Sequence, residues 1–284
     1  MRLVRYGEKG KEKPGLIDAE GKIRDVSAIV PDFGGAYLAR KYLSKLARVE
    51  PPSLPLVRGQ PRLGAPVAKP GNFIGIGLNY GDHAKETGAP IPKEPILFSK
   101  APNCISGPHD PIIMPKGGAK LDFEVELAII IGEHASYVAD HDALDHIAGF
   151  CLANDVSERA FQLERGGQWM KGKSAPTFGP LGPWLVTGDA IPDVQGLNLW
   201  LDVNGERMQT GNTDTMIFDV KQIVSYVSHF MELEPGDVIV TGTPSGVGMA
   251  RKPPRFLKVG DVITLGGDHL GDQRQEIVAW KAGL

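Results

Sequence analysis

The chain has 284 residues, 42% hydrophobic and 23% charged, which is ordinary globular usage and excludes a disordered chain or a collagen-like fibre. Its formal net charge of −3 supplies no global positive field to hold nucleic acid or an anionic membrane. Roughly 150 residues per domain gives two domains, or one with an appendage, and 36 Gly with 23 Pro favour short strands and tight turns over a long-helix bundle.

Charge interrupts every apolar stretch between Met1 and Lys13, so no signal-peptide core can be drawn there. The apolar run Leu127–Ile131 is far below the roughly 18–20 residues that span a bilayer. Cys104 and Cys151 lack metal-site spacing and read as reduced core thiols. A soluble, cytoplasmic protein with no membrane or nucleic-acid partner is expected.

Residues 1–66 read as a small α/β module, with strands at Leu3–Tyr6, Gly15–Asp18 and Ile23–Val26 and a helix over Ala36–Val49. Prolines at 51, 52, 55, 61, 66 and 70 exclude a regular helix or central strand, because each lacks a donor and restrains its predecessor. A second unit is therefore drawn over 67–284. There, short β-rich runs alternate with turns: Phe73–Ile76, Ile96–Ser99, Ile112–Met114, Phe123–Ile131, Gly149–Ala153, Trp184–Val186, Leu197–Val203, Val238–Val240, Val262–Thr264 and Ile277–Ala279. This pattern predicts an α+β fold that is mainly β. Asn204-Gly205 signals a hairpin, since both residues tolerate the positive φ of a type I′ turn. One helix is predicted over Asp219–Met231, with Asp219 as its cap.

The richest segment is Leu121-Asp-Phe-Glu-Val-Glu-Leu-Ala-Ile-Ile-Ile131. On a strand of period two, Phe123, Val125 and Leu127 enter one core while Asp122, Glu124 and Glu126 line the other face. Two carboxylates ~5 Å apart repel by roughly 3 kcal/mol at an effective dielectric near 20, enough to raise a pKa or to demand a cation. The competing reading is an edge strand with a solvated acidic face. The apolar end Ala128–Ile131 favours a pocket instead, because it is buried on both faces. Oxygen ligands without a His or Cys cluster point to Mg²⁺, Mn²⁺ or Ca²⁺.

Asp155 ends the apolar run from Gly149 and offers a third ligand, although Asn154-Asp155 also reads as a plain turn. Ser157 then reads as a helix cap, with Arg159 and Gln162 sharing one helix face. His83 and Glu86 stand one helical turn apart and could be a base and its orienter, or an exposed turn with an ordinary pair. Glycines at 81 and 88 could let this turn move as a lid. Chemistry alone does not separate Lys171 from Lys173. Gly75–Gly81 departs from the dinucleotide fingerprint, and Thr241–Gly248 lacks the Gly-Lys-Ser/Thr of a P-loop but could form a nest that holds a carboxylate.

In order, Gly77-Leu-Asn-Tyr-Gly-Asp-His83-Ala-Lys-Glu86, Asp122-Phe-Glu-Val-Glu126, Asn154-Asp-Val-Ser-Glu-Arg159 with Gln162, Trp169–Lys173, Thr177–Pro183 and Thr241–Gly248 resemble the fumarylacetoacetate hydrolase family over about residues 70–280. The resemblance implies a mixed β-sandwich roll assembled as a homodimer or larger homo-oligomer. It implies Glu124, Glu126 and Asp155 as ligands of Mg²⁺ or Mn²⁺, with His83 and Glu86 as a lid dyad. It favours Lys173 over Lys171 as the active-site lysine, and makes Arg159, Gln162 and Thr243 substrate contacts. Pro176 departs from the family pattern, where an Asp often precedes Thr-Phe. The front segment and Glu164–Trp169 look closest to members acting on 2,4-diketo-3-deoxy sugar acids, such as those from L-fuconate or L-rhamnonate, which often carry the label ureidoglycolate lyase.

The activity so implied is metal-dependent C–C hydrolysis of a small 2,4-diketo acid to pyruvate and a second acid. The same platform would serve oxaloacetate decarboxylation, 2-hydroxyhepta-2,4-diene-1,7-dioate isomerisation, hydration or ureidoglycolate lyase chemistry. A non-enzymatic scaffold would lose the dyad, so the presence of both His83 and Glu86 counts against it.

Overall fold

Short apolar runs bury backbone that must still be hydrogen-bonded, and strand pairing meets that demand here. The computed structural model describes residues 1–282 and is mainly β. Its main sheet has eleven strands. Nine follow in the order Ile23–Asp25, Lys13–Ile17, Arg2–Tyr6, Gly179–Thr187, Ile147–Asn154, Val125–Ile131, Val238–Val240, Phe73–Gly77 and Ile96–Lys100. Leu63–Gly64 pairs with the first of these segments in sequence, and Ile105–Ser106 with Gly179–Thr187. A five-stranded sheet runs Glu206–Asn212, Asn198–Val203, Val262–Gly267, Gly271–Ala279 and Ile112–Met114. No helix of the described residues is long and apolar enough to cross a membrane.

Residues 1–66 share the main sheet, since Leu3 pairs with Leu185 and Arg5 with Gly64. The helix expected over Ala36–Val49 is a 3₁₀ turn at Gly35–Leu38 followed by an α-helix at Arg40–Leu46. The helix begun by Asp219 spans Val220–Ser228 and closes a capping box with Gln222, stopping short of Met231. Asn204 and Gly205 take φ of 53° and 81°, as the hairpin demands. Cys104 and Cys151 are buried and free, and burial pushes the Cys151 thiol up to about 12.

The expected continuous strand over Phe123–Ile131 is broken. Leu121–Asp122 pairs with Ser157–Glu158 as a separate ribbon, and the long strand starts at Val125. Ser157 is therefore strand and not a cap; the Glu158 side chain caps Arg159–Leu163 by accepting from the Ala160 N–H. Every residue of Val125–Ile131 is buried, and Ile147–Asn154 and Val238–Val240 flank it within the sheet.

Register then gathers the polar ends. Val125 opposes Asn154, which sets Glu124 and Asp155 just beyond the paired residues, and the Asp155 N–H donates to the Glu124 carbonyl at 2.9 Å. Ala128 opposes Val240, so Thr241 and Gly242 run past Leu127 and Glu126. Phe73–Gly77 lies parallel to Val238–Val240 and delivers the helix Gly81–Thr87 to the same end.

Close strand approach makes Gly149 sterically obligatory: a Cβ there would meet the Val186 carbonyl oxygen at 2.2 Å. Gly149→Ala should cost about 1–3 kcal/mol through overpacking and lower the melting temperature by several degrees in calorimetry. An unchanged melting temperature contradicts this register.

Candidate active site

Glu124, Glu126 and Asp155 are all buried, and one oxygen from each lies within 4.8 Å of the others. Asp122 does not join them as strand alternation suggested. The break at Phe123 turns it toward the Gly248 and Met249 N–H groups, at 2.7 and 3.0 Å, and toward the Arg159 Nε at 2.9 Å.

Three buried cations answer these carboxylates. Arg159 reaches Glu124 at 2.6 Å, Lys173 reaches both Glu124 and Asp155 at 2.5 Å, and Lys100 reaches Asp155 at 2.5 Å. Lys100 also donates to the carbonyls of Lys173 and Phe178. It was not picked out from the sequence; its only signal is a lysine closing the apolar strand Ile96–Lys100. Lys171 is exposed and donates to the Arg165 carbonyl, so the two lysines separate by burial.

Glu126 is the unanswered charge. It accepts from the Gly242 N–H at 2.7 Å, and no lysine or arginine of the described residues hydrogen-bonds it. Burial, with Asp155 and Glu124 beside it, pushes its carboxyl well above the usual range. Burial would also raise Glu124, but Arg159 and Lys173 hold it well below that range. Burial would lower Lys173, yet Asp155 and Glu124 raise it. An all-oxygen triad with one carboxyl left without a cationic partner suits a hard divalent cation. The donor set therefore fits Mg²⁺ or Mn²⁺.

His83 Nδ1 lies 3.3 Å from Glu86 Oε2, and both Glu86 oxygens accept from the Gly246 N–H at 3.0 Å. Ser245 donates to Asp82 on the same helix at 2.7 Å. The Thr241–Gly248 turn is thus a nest for carboxylates, but the ones it holds are the protein's own. Thr243 donates its hydroxyl to the Val125 carbonyl and accepts from Gln209. Gln162 accepts from Arg159 at 3.0 Å.

A cleft of about 180 Å³ collects His83, Glu124, Glu126, Asp155, Arg159, Gln162, Lys173 and Thr243 in its lining, with Glu86 behind His83. Pro176 is exposed and outside that lining. A larger cavity, about 710 Å³, lies elsewhere, around Leu43, Ile147 and Val220, and carries none of these groups.

A family model described as fumarylacetoacetate (FAA) hydrolase C-terminal matches residues 72–278. The chain belongs to this family. A Burkholderia ambifaria relative named as a hydrolase is 56% identical over 276 residues, covering 97% of this chain and 98% of that one. Fumarylacetoacetate hydrolase from the psychrophile Exiguobacterium antarcticum matches with a TM-score of 0.88 at 38% identity, over 99% of this chain and 100% of that one. Maleylpyruvate hydrolase from a Sphingobium species, solved with manganese(II) and pyruvate, matches at 0.81 and 29%, over 99% and 100%. Fumarylacetoacetate hydrolase family membership and these matches support an enzyme.

Glu126 also sets a pH signature. A carboxyl whose folded pKa is raised gives stability below its unfolded value and loses it as pH rises through the folded value. In chelator, Glu126→Gln should therefore melt above the parent at about pH 8, with the gap closing toward about pH 5; Mn²⁺ should then raise the parent more than the variant. A variant that melts below the parent at the higher pH in chelator contradicts the raised Glu126 carboxyl.

Proposed function

We propose that this protein hydrolyses the C3–C4 bond of a 2,4-diketo acid, giving pyruvate and a second carboxylic acid. The observation that carries the reading is one cleft that holds both an incompletely neutralised carboxylate triad and a His–Glu dyad. Glu124, Glu126 and Asp155 would hold Mg²⁺ or Mn²⁺, which when bound polarises the 2-oxo acid and stabilises negative charge developing on its oxygens.

Glu86 accepts from His83 Nδ1, which leaves the outer nitrogen Nε2 to take a proton from water. The water oxygen adds to the C4 carbonyl, the C3–C4 bond breaks, and C4 departs in the second acid. The electron pair left on C3 is delocalised into the pyruvate carbonyl, and a proton at C3 completes pyruvate. Lys173, held beside Glu124 and Asp155, sets positive charge next to that developing anion. Arg159 holds the Gln162 carbonyl oxygen, which leaves the Gln162 amide nitrogen to donate to the substrate carboxylate in this reading. Thr243 lines the substrate's path with its hydroxyl already committed. Decarboxylation of oxaloacetate requires no attacking water, so a base oriented by Glu86 favours hydrolysis.

The test is pyruvate release from acylpyruvates with Mn²⁺ or Mg²⁺, with the second acid counted in parallel. Chelation should abolish release, and His83→Ala should lower kcat by about 10²–10⁴-fold while Mn²⁺ binding persists. No pyruvate from any acylpyruvate with metal bound, or an unaffected His83→Ala enzyme, contradicts the reading.

A further inference from the structure

The cleft has two chemical halves. Its floor carries the carboxylates with Lys173 and Arg159, and its apolar wall is built from Leu78, Ala89, Phe98, Leu163, Trp169 and Met249. The wall is held in place. Trp169 packs on Phe98 with ring centroids 5.5 Å apart, and a Cβ at Gly77 would meet the indole at 2.7 Å. Lys173 Nζ sits 5.0 Å from the Phe98 ring centroid, so Phe98 joins floor to wall. At the rim, Leu163 and the adjacent Met170 are 48% and 46% exposed, an apolar edge that an apolar ligand would cover.

The polar side chains of the cleft are largely committed already. Arg159 donates to Asp122, Glu124 and Gln162. Lys173 bonds two carboxylates, Thr243 bonds a backbone carbonyl, and Thr87 donates to carbonyls of its own helix. The Gln162 amide nitrogen, the outer nitrogen of His83 and a third Lys173 N–H remain, and the proposed chemistry assigns them to the reacting head of the substrate; on the wall itself the Trp169 indole N–H is the single side-chain donor. A polyhydroxylated or carboxylate-bearing tail would lose several water partners against the wall and find one indole N–H in exchange.

We propose that this wall selects the tail of the substrate: the cleft takes 2-oxo acids with alkyl or aryl tails and rejects polyhydroxylated or carboxylate-bearing ones. Leu163, Trp169 and Met249 are the specificity-determining residues. The inference rests on the 2-oxo-acid reading of the site and narrows it, and it departs from the sugar-acid substrate that the sequence resemblance implies.

Binding to the manganese-loaded full chain tests it by calorimetric titration with 2-oxooctanoate, 2-oxoadipate, 2-keto-3-deoxygluconate and pyruvate. None of the four carries the 4-keto group that hydrolysis requires, so the preference is read independently of turnover. 2-Oxooctanoate should bind at least ~10-fold more tightly than either polar-tailed acid, the scale set by polar groups left without partners. Leu163→Asn and Met249→Gln should each reduce that ratio by about threefold or more. Equal affinities, or tighter binding of the sugar acid, overturn the wall's role. A preserved preference without acylpyruvate cleavage upholds the wall and removes the hydrolysis. Failure of all four acids to bind overturns the 2-oxo-acid reading and the wall's role with it.

Discussion

Four buried carboxylates against three buried cations is the constraint on which the rest of this molecule depends. Asp122, Arg159, Glu124, Lys173, Asp155 and Lys100 form a chain in which each ion touches one of opposite sign. Taking each ion out of water costs several kcal/mol, so the chain persists only because every member is paired and further hydrogen-bonded. Loss of any one cation would strand a charge in the interior. Glu126 stands outside the chain of pairs, and a carboxyl left without a cation marks the cluster as a candidate site as well as a structural device.

One turn aligns everything around that cluster. Backbone N–H groups of Gly242, Gly246 and Gly248 hold Glu126, Glu86 and Asp122 respectively, so the triad, the dyad and the partner of Arg159 share one scaffold. Gly242 and Gly246 take φ of 93° and 105°, and a Cβ at Gly246 would meet the Met208 carbonyl oxygen at 2.1 Å. Side-chain-free residues are thus required where the chain must present amides to buried acids. A shift of this turn would move the His–Glu dyad, the carboxylate triad and the cleft wall together, since Met249 follows directly.

Much of this was legible in the sequence because it is local. Apolar runs mark the central strands, Asp219 with Gln222 marks a helix start, and Asn204-Gly205 marks a hairpin. His83 and Glu86 meet because one helical turn brings them together. What failed depends on long-range pairing. The break at Phe123 follows from the Asp122–Ser157 bridge, which alternation within one segment cannot reveal, and it also turns Ser157 from cap to strand. Lys100 is silent in sequence because its partners lie 55 and more residues away. The Gly-rich pattern of Thr241–Gly248 signals amides free to hold carboxylates, but only the fold shows that those carboxylates are the protein's own and that the Thr243 hydroxyl goes to the Val125 carbonyl instead.

The central claim is that Glu124, Glu126 and Asp155 together hold a divalent cation. Anomalous diffraction at the manganese edge from crystals grown with Mn²⁺ tests it most directly. The account predicts a single strong peak at about 2.0–2.3 Å from one oxygen of each of the three, with Lys173 Nζ moved off the position it shares between Glu124 and Asp155. A crystal in which manganese occupies only the exposed group His134, Glu232 and Glu234, with Lys173 still bridging the buried carboxylates, would contradict it.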